Sequence, residues 1–248
     1  MKYTKNSLNE VIFHLKFSPL SKIYSNKKEA VSEFQKHVKK EFPEISFEKK
    51  KKIKYNIDNS GKLEEFESNE DYLTWIFRNN KKEIQLNGKE VILIHDGEIY
   101  SSFEDYMKDV DLIIKGLEKY GLESVNSIGL RYINQIKIDD ETKIKKYFNP
   151  NLHLSTEEFK KEEFVESITK TDLVIDEYDL IFKYGCFNPD YPNRTSKKDV
   201  ILDYDCILDY DEELEYVPVN LAKMHNIIQK RFENDITQDF QKEIQVKT

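Results

Sequence analysis

Cysteine, glycine and arginine are scarce in this chain of 248 residues, and each shortage removes a class of explanation. Two cysteines, Cys186 and Cys206, cannot build a disulfide framework, so packed side chains must hold the fold. No apolar segment precedes the first alternating stretch, and the expectation is a reduced, cytoplasmic protein. Seven glycines form neither a phosphate-cradling loop nor a dinucleotide fingerprint, which excludes ATP or NAD binding by those routes. The longest continuous apolar run is Val91 to Ile94, far below the roughly 18 residues of a membrane-spanning helix, so a soluble protein without a membrane partner is expected. Of the positive residues only Arg78, Arg131, Arg194 and Arg231 are arginine. A lysine, asparagine and isoleucine excess is what an AT-rich genome produces, so lysine runs say little and the rare arginines say more.

The hydrophobic content of 38% is enough for the core of one large domain. A formal charge of -8 argues against a surface devoted to a phosphate backbone, which makes nucleic acid an unexpected partner. Val11, Phe13, Leu15 and Phe17 alternate with Ile12, His14 and Lys16 as in a half-buried strand. Val31, Phe34 and Val38 then follow helical spacing, with Ser25 or Asn26 as the cap and Pro43 as the stop. Asp58 to Gly61 reads as a turn, and Asn87-Gly88 as a hairpin in which both residues take positive φ and Ile84 faces Val91.

A long helix begins at Tyr100 with Ser101 and Glu104 in capping-box spacing. Its stripe is Phe103, Met107, Val110, Ile114 and Leu117, and Gly121 ends it. The second half runs from a strand at Ser127–Ile138 through a weak helix at 155–167, a strand at 171–185 and a strand at 199–210. It closes with a helix that carries Leu221, Met224, Ile228 and Phe232 on one stripe. The order strand, helix, several strands, long helix thus occurs at 8–120 and again at 127–236. This predicts an α+β fold of one unit over 1–248: a curved, mainly antiparallel sheet with the long helices on one face, built as a duplicated unit of TBP-like or helix-grip type.

The chain resembles the sporadically distributed, uncharacterised protein family of bacteria and archaea with chains of about 250 residues. The shared pieces are NEVIFHLKF, the helix residues Phe34, Gln35, Val38, Phe42 and Pro43, Trp75 and Phe77, YSSFEDY, VILDYD, LAKMHNII and above all IGLRYIN. The resemblance implies a full-length unit with no established activity. Its patchy spread implies a component of a mobile-element, toxin–antitoxin or phage-defence system.

Several clusters could carry chemistry. In SIGLRYINQIKI, Asn134 shares the apolar parity and must find hydrogen-bond partners, while Arg131 lies on the opposite side. Glu10 or His14 pairs with Arg131 if the first strand is its neighbour; otherwise the arginine fork clamps a small acidic ligand or a protein partner. Asp203, Asp205, Asp209 and Asp211 share one parity, an acidic ladder whose repulsion needs Lys49 to Lys52 or a metal to relieve it. Asp203 and Asp205, joined by Asp209, would hold Mg²⁺ in the alternative reading, a metal-dependent nuclease or phosphotransferase. The leading reading has no cofactor and is a binding module around Arg131, with Asn134, His14 and Glu10 as the other ligand-binding candidates. His95, Asp96 and Glu98 are read as a turn closed by Asp96-Gly97, with a metal or acid/base role as the alternative. Lys49 to Lys54 reads as a charged edge strand, and Cys206, on the apolar parity, as inert.

Overall fold

Period-two alternation decides which way the central side chains point. The computed structural model describes residues 7–24, 28–57, 63–138, 142–154, 165–193 and 198–244. Its strands are β1 (Leu8–Lys16), β2 (Glu44–Ile57), β3 (Leu63–Asn79), β4 (Lys82–Leu86), β5 (Glu90–Asp96), β6 (Ser124–Val125), β7 (Ser127–Ile138), β8 (Glu166–Ile175), β9 (Tyr178–Phe187), β10 (Lys198–Leu208) and β11 (Glu212–Glu213). Its helices are α1 (Ser21–Tyr24), α2 (Ser32–Val38), α3 (Phe103–Glu118), α4 (Thr142–Tyr147), α5 (Val217–Asp235) and α6 (Gln238–Ile244).

Nine strands form one open sheet in the order β2-β3-β4-β5-β1-β7-β10-β9-β8, every neighbouring pair antiparallel. The fold is α+β, as the element order predicted. β1 and β7 lie side by side at the centre. On each flank the chain leaves the central strand, forms a helix, and returns through antiparallel strands to lie beside the strand it left. One face of the sheet presents Val11, Phe13, Leu15, Leu93, Leu130, Tyr132, Leu202 and Tyr204 to the core. α2, α3 and α5 cover that face: Phe34 of α2 meets Phe77 at 5.2 Å, the Tyr106 hydroxyl donates to the Leu93 carbonyl, and His225 reaches Tyr132. No described helix is long and apolar enough to cross a membrane.

α3 begins one residue later than the capping-box reading placed it. Ser102 is the N-cap, its Oγ accepting from the Asp105 amide, while Ser101 Oγ donates to the Asp105 carboxylate. Gly121 takes φ +79° just past the helix end, as its position predicted. The Asn87-Gly88 hairpin forms, but in another register: Leu86 faces Val91 and Ile84 faces Leu93. Neither Asn87 nor Gly88 takes a positive φ. Instead Asn87 Oδ1 accepts from the amides of Lys89 and Glu90, so a side chain closes the turn. The segment 171–185 is two strands joined at Asp176, whose φ of 53° reverses the chain.

Glu166 and Ser167 begin β8 and are not helical. Val165, just before it, is not helical either; the cap at Ser25 or Asn26, the turn at 58–61, positions 155–164 of the expected helix and Arg194 lie outside the described residues. So do the side chains of 50–54, though the backbone there is the edge strand β2.

Candidate functional site

The sheet face away from the helices holds the residues to which the sequence drew attention. β1 does neighbour β7, with Ile12 opposite Arg131 and Glu10 opposite Ile133. Arg131 nevertheless turns to the other side. Its Nε and Nη2 donate to Asp203 Oδ1 and Oδ2, both at 2.7 Å, a two-pronged charge-assisted contact. Asp203 is buried on β10, one pairing step from Asp205, which stands directly opposite Arg131. Lys183 of β9 approaches Asp203 at 3.9 Å. The partner of Arg131 is therefore Asp203 and neither Glu10 nor His14, because β10 places a buried carboxylate on its diagonal. His14 pairs instead with Glu90 of β5 at 2.9 Å, and that hydrogen bond is the main cause holding the Glu90 carboxyl down at about 2.

The acidic ladder stops short of the sequence reading. β10 ends at Leu208, so Asp209 and Asp211 leave the strand; Asp209 is exposed, and Asp211 accepts from the Asn126 amide. The repulsion between Asp203 and Asp205 is met by Arg131, with Lys183 adding to the relief; the lysines at 49–52 lie on β2, the far edge strand of the sheet. Burial raises the Asp205 carboxyl above its ordinary value, with Arg131 pulling it back and Asp203 pushing further up. A shallow depression of about 290 Å³ lies here, with His14, Gly129, Arg131 and Asp205 among its walls. An acidic ligand entering it would meet a guanidinium whose Nε and Nη2 are already engaged by one carboxylate and which is flanked by another. A divalent cation at Asp203 would have to displace that guanidinium. Among the described residues no group of three or more His, Cys, Asp or Glu is placed to hold a metal ion.

Asp96 and Glu98 form the expected turn, the Glu98 amide donating to Asp96 Oδ1. His95 is not part of it. It points into the core, where its Nε2 lies 3.0 Å from Asp109 Oδ2, and Lys82 donates to the same oxygen at 2.6 Å.

Asn134 sits on the helix-covered face, apart from Arg131, His14 and Glu10. Its amide donates to the Leu202 carbonyl and its Oδ1 accepts from Ser7, so the buried Asn is satisfied. Beside it opens the larger cavity, about 630 Å³, between the start of α3, the middle of α5 and β7. Leu8, Phe103, Ile228, Phe232 and Ile244 give it an apolar wall; Tyr132, His225 and Asn226 give it polar atoms. A chain of hydrogen bonds crosses the wall, from the Tyr100 hydroxyl to that of Tyr132 at 2.9 Å and on to His225 Nδ1 at 3.0 Å. Phe103 lies flat on the His225 ring, 4.2 Å between centroids and 1° between planes. Burial lowers the His225 pKa, so the ring is neutral at pH 7, and burial raises Tyr100 to about 12. With Nδ1 fixed by Tyr132, Nε2 has no hydrogen-bond partner among the described residues, and in a neutral imidazole it donates or accepts according to its tautomer.

Of the sequence's ligand-binding candidates only Asn134 lines this cavity; Tyr132 and His225 stand in no motif that marks them for binding. The available signal was spacing: His225 follows Leu221 by four, which places a titratable ring beside the buried stripe of α5. No protein-family model matches the chain, and no curated protein matches it significantly.

Proposed function

We propose that this protein is a non-catalytic binding module whose ligand is a small, neutral, planar molecule held in the cavity between α3, α5 and β7. The observation that supports this reading is His225 Nε2, which has no hydrogen-bond partner among the described residues, in a cavity of about 630 Å³ with mixed polar and apolar walls, within the size range of small-molecule sites. The Phe103–His225 stack offers an aromatic wall, Tyr132 sets the orientation of the imidazole, and Glu104 at the rim disfavours an anion. A role in a mobile-element, toxin–antitoxin or phage-defence system rests on the family resemblance alone.

Saturation-transfer NMR with indole, quinoline and nicotinamide tests the site. Transfer to at least one probe in the wild type, a shift of the His225 Nε2 resonance on binding, and loss of both in Ala222→Phe are the expected results, since Ala222 lines the cavity and a ring there fills it. His225→Leu should weaken a probe that hydrogen-bonds Nε2 by about 3- to 10-fold. Transfer that persists in Ala222→Phe would place binding elsewhere. The nuclease or phosphotransferase alternative predicts that Mg²⁺ raises the unfolding temperature through Asp203 and Asp205. The saturated contact between Arg131 and Asp203 argues for no shift.

A further inference from the structure

The sheet has two edges, and they differ in character. β2 carries Lys49 through Lys52 and Lys54 in its sequence, a run of one sign that opposes pairing with itself. β8 is different. It is ten residues long, it lies at the end of the sheet, and among the described residues only β9 pairs with it. Its outer row of amides and carbonyls is a template for one more strand.

The side chains on the open face of β8 alternate as Glu166, Ile168, Lys170, Asp172 and Val174. Ile168 is 41% and Val174 78% exposed, so the open face of this edge offers two aliphatic side chains. When β8 pairs antiparallel with a second β8 about a twofold axis at Thr171, Lys170 of one copy stands opposite Asp172 of the other, twice over. Ile168 stands opposite Val174, also twice. Shifting the axis to Lys170 opposes lysine to lysine, and shifting it to Asp172 opposes aspartate to aspartate. Directly opposed like charges are unfavourable, and of these three registers only that at Thr171 opposes Lys170 to Asp172 and Ile168 to Val174; Glu166 then faces Asp176 beyond the end of the strand, and the Lys170–Asp172 pair within each β8, at 3.0 Å, joins its counterpart across the axis. An axis at Thr171 perpendicular to the sheet keeps the helix layers of both copies on one side, as an isologous interface requires.

We infer that the protein forms a symmetric dimer by antiparallel pairing of β8 with β8 of a second copy, centred on Thr171, joining two nine-stranded sheets into one. Light scattering coupled to size exclusion should give twice the chain mass of 29.6 kDa. Lys170→Asp or Asp172→Lys brings like charges together twice and should raise the dimer dissociation constant about tenfold or more. The double exchange Lys170→Asp/Asp172→Lys should restore it to within a few-fold. Under mild oxidation Thr171→Cys should cross-link to a covalent dimer, whereas Thr169→Cys, which would face Leu173, should not. Both native thiols are buried and do not compete. Circular dichroism confirms that each variant is folded. A wild-type protein that stays at one chain mass overturns the dimer, even if an extended peptide from another protein adds to the same edge. Charge variants that associate like the wild type, or equal cross-linking at 169 and 171, overturn the register.

Discussion

Replacing Arg131 with alanine would leave Asp203, with only 4% of its side chain exposed, without its two-pronged partner, and Asp205 without the cation opposite it. Stranding one member of a buried ion pair costs about 3–5 kcal/mol, and Arg131 is itself 32% exposed, which favours the low end, about 3 kcal/mol. For a chain of this length each kcal/mol lowers the unfolding temperature by roughly 2–4 °C, so Arg131→Ala should unfold about 6–12 °C below the wild type. Arg131→Lys should recover part of this, since an ammonium supplies charge without the planar fork. The discriminating variant is Arg131→Met/Asp203→Leu. It removes both charges and keeps the volume, so it should lie within about 1–2 kcal/mol of the wild type in urea denaturation followed by circular dichroism. A single-alanine variant with wild-type stability would show that the pair does not hold the sheet. A double variant as unstable as the two single changes combined would show that pairing is not the reason the residues matter. Either result would return Arg131 to the list of ligand-binding candidates.

Three further outcomes follow from burial and backbone geometry. Asp205 has a folded pKa above its ordinary 3.8, so its contribution to stability is present below that value and is lost as the pH rises through the folded value; Asp205→Asn should remove this loss and flatten the pH–stability curve above pH 4. Gly185 of β9 packs against β8 so closely that a Cβ would lie 1.9 Å from the Ser167 carbonyl oxygen, so Gly185→Ala should separate the two strands and lower the denaturation midpoint by more than an exposed Ala substitution does. Burial pushes the Cys206 thiol up to about 12, and native protein at pH 8 should resist iodoacetamide at that position until denaturant is added; rapid labelling of folded protein would contradict the core position.

Strand faces were legible in the sequence because alternation is a local property. Val11, Phe13 and Leu15 against Ile12 and His14, or Leu130 and Tyr132 against Arg131, need no knowledge of the neighbouring strand. Partners were not legible, because pairing depends on strand order and register. The sequence offered Glu10 and His14 to Arg131 across β1, but the residue that binds it comes from β10, seventy-two positions later. The hairpin register failed for a related reason. Asn-Gly suggests a backbone-driven turn, while here Asn87 uses its side chain to hold the amides of Lys89 and Glu90, which moves the turn one residue along. The cavity was the least legible feature: Tyr100, Phe103, Tyr132 and His225 come from a loop, two helices and a strand, and only the tertiary fold brings them together.

What separates the open face from the cavity is how far the polar groups are already satisfied by neighbours. Arg131 meets Asp203 through two nitrogens, and His14 meets Glu90. Within the core, Asp235 accepts from both Tyr204 and Arg231, whose guanidinium also lies over the Phe182 ring at 4.8 Å. A ligand that drew on the same atoms would have to displace a charge-assisted contact, at a cost comparable to what it could return. His225 differs: one nitrogen is fixed by Tyr132, the other has no hydrogen-bond partner among the described residues, and the ring lines the cavity and is neutral, so a ligand bonding Nε2 displaces no described contact. The same reasoning applies to β8, whose outer backbone groups have no protein partner among the described residues and gain bonds by accepting a strand. Recognition is therefore expected where bonding capacity is unused, whereas Arg131, the most conspicuous residue in the sequence, already spends two of its nitrogens on Asp203.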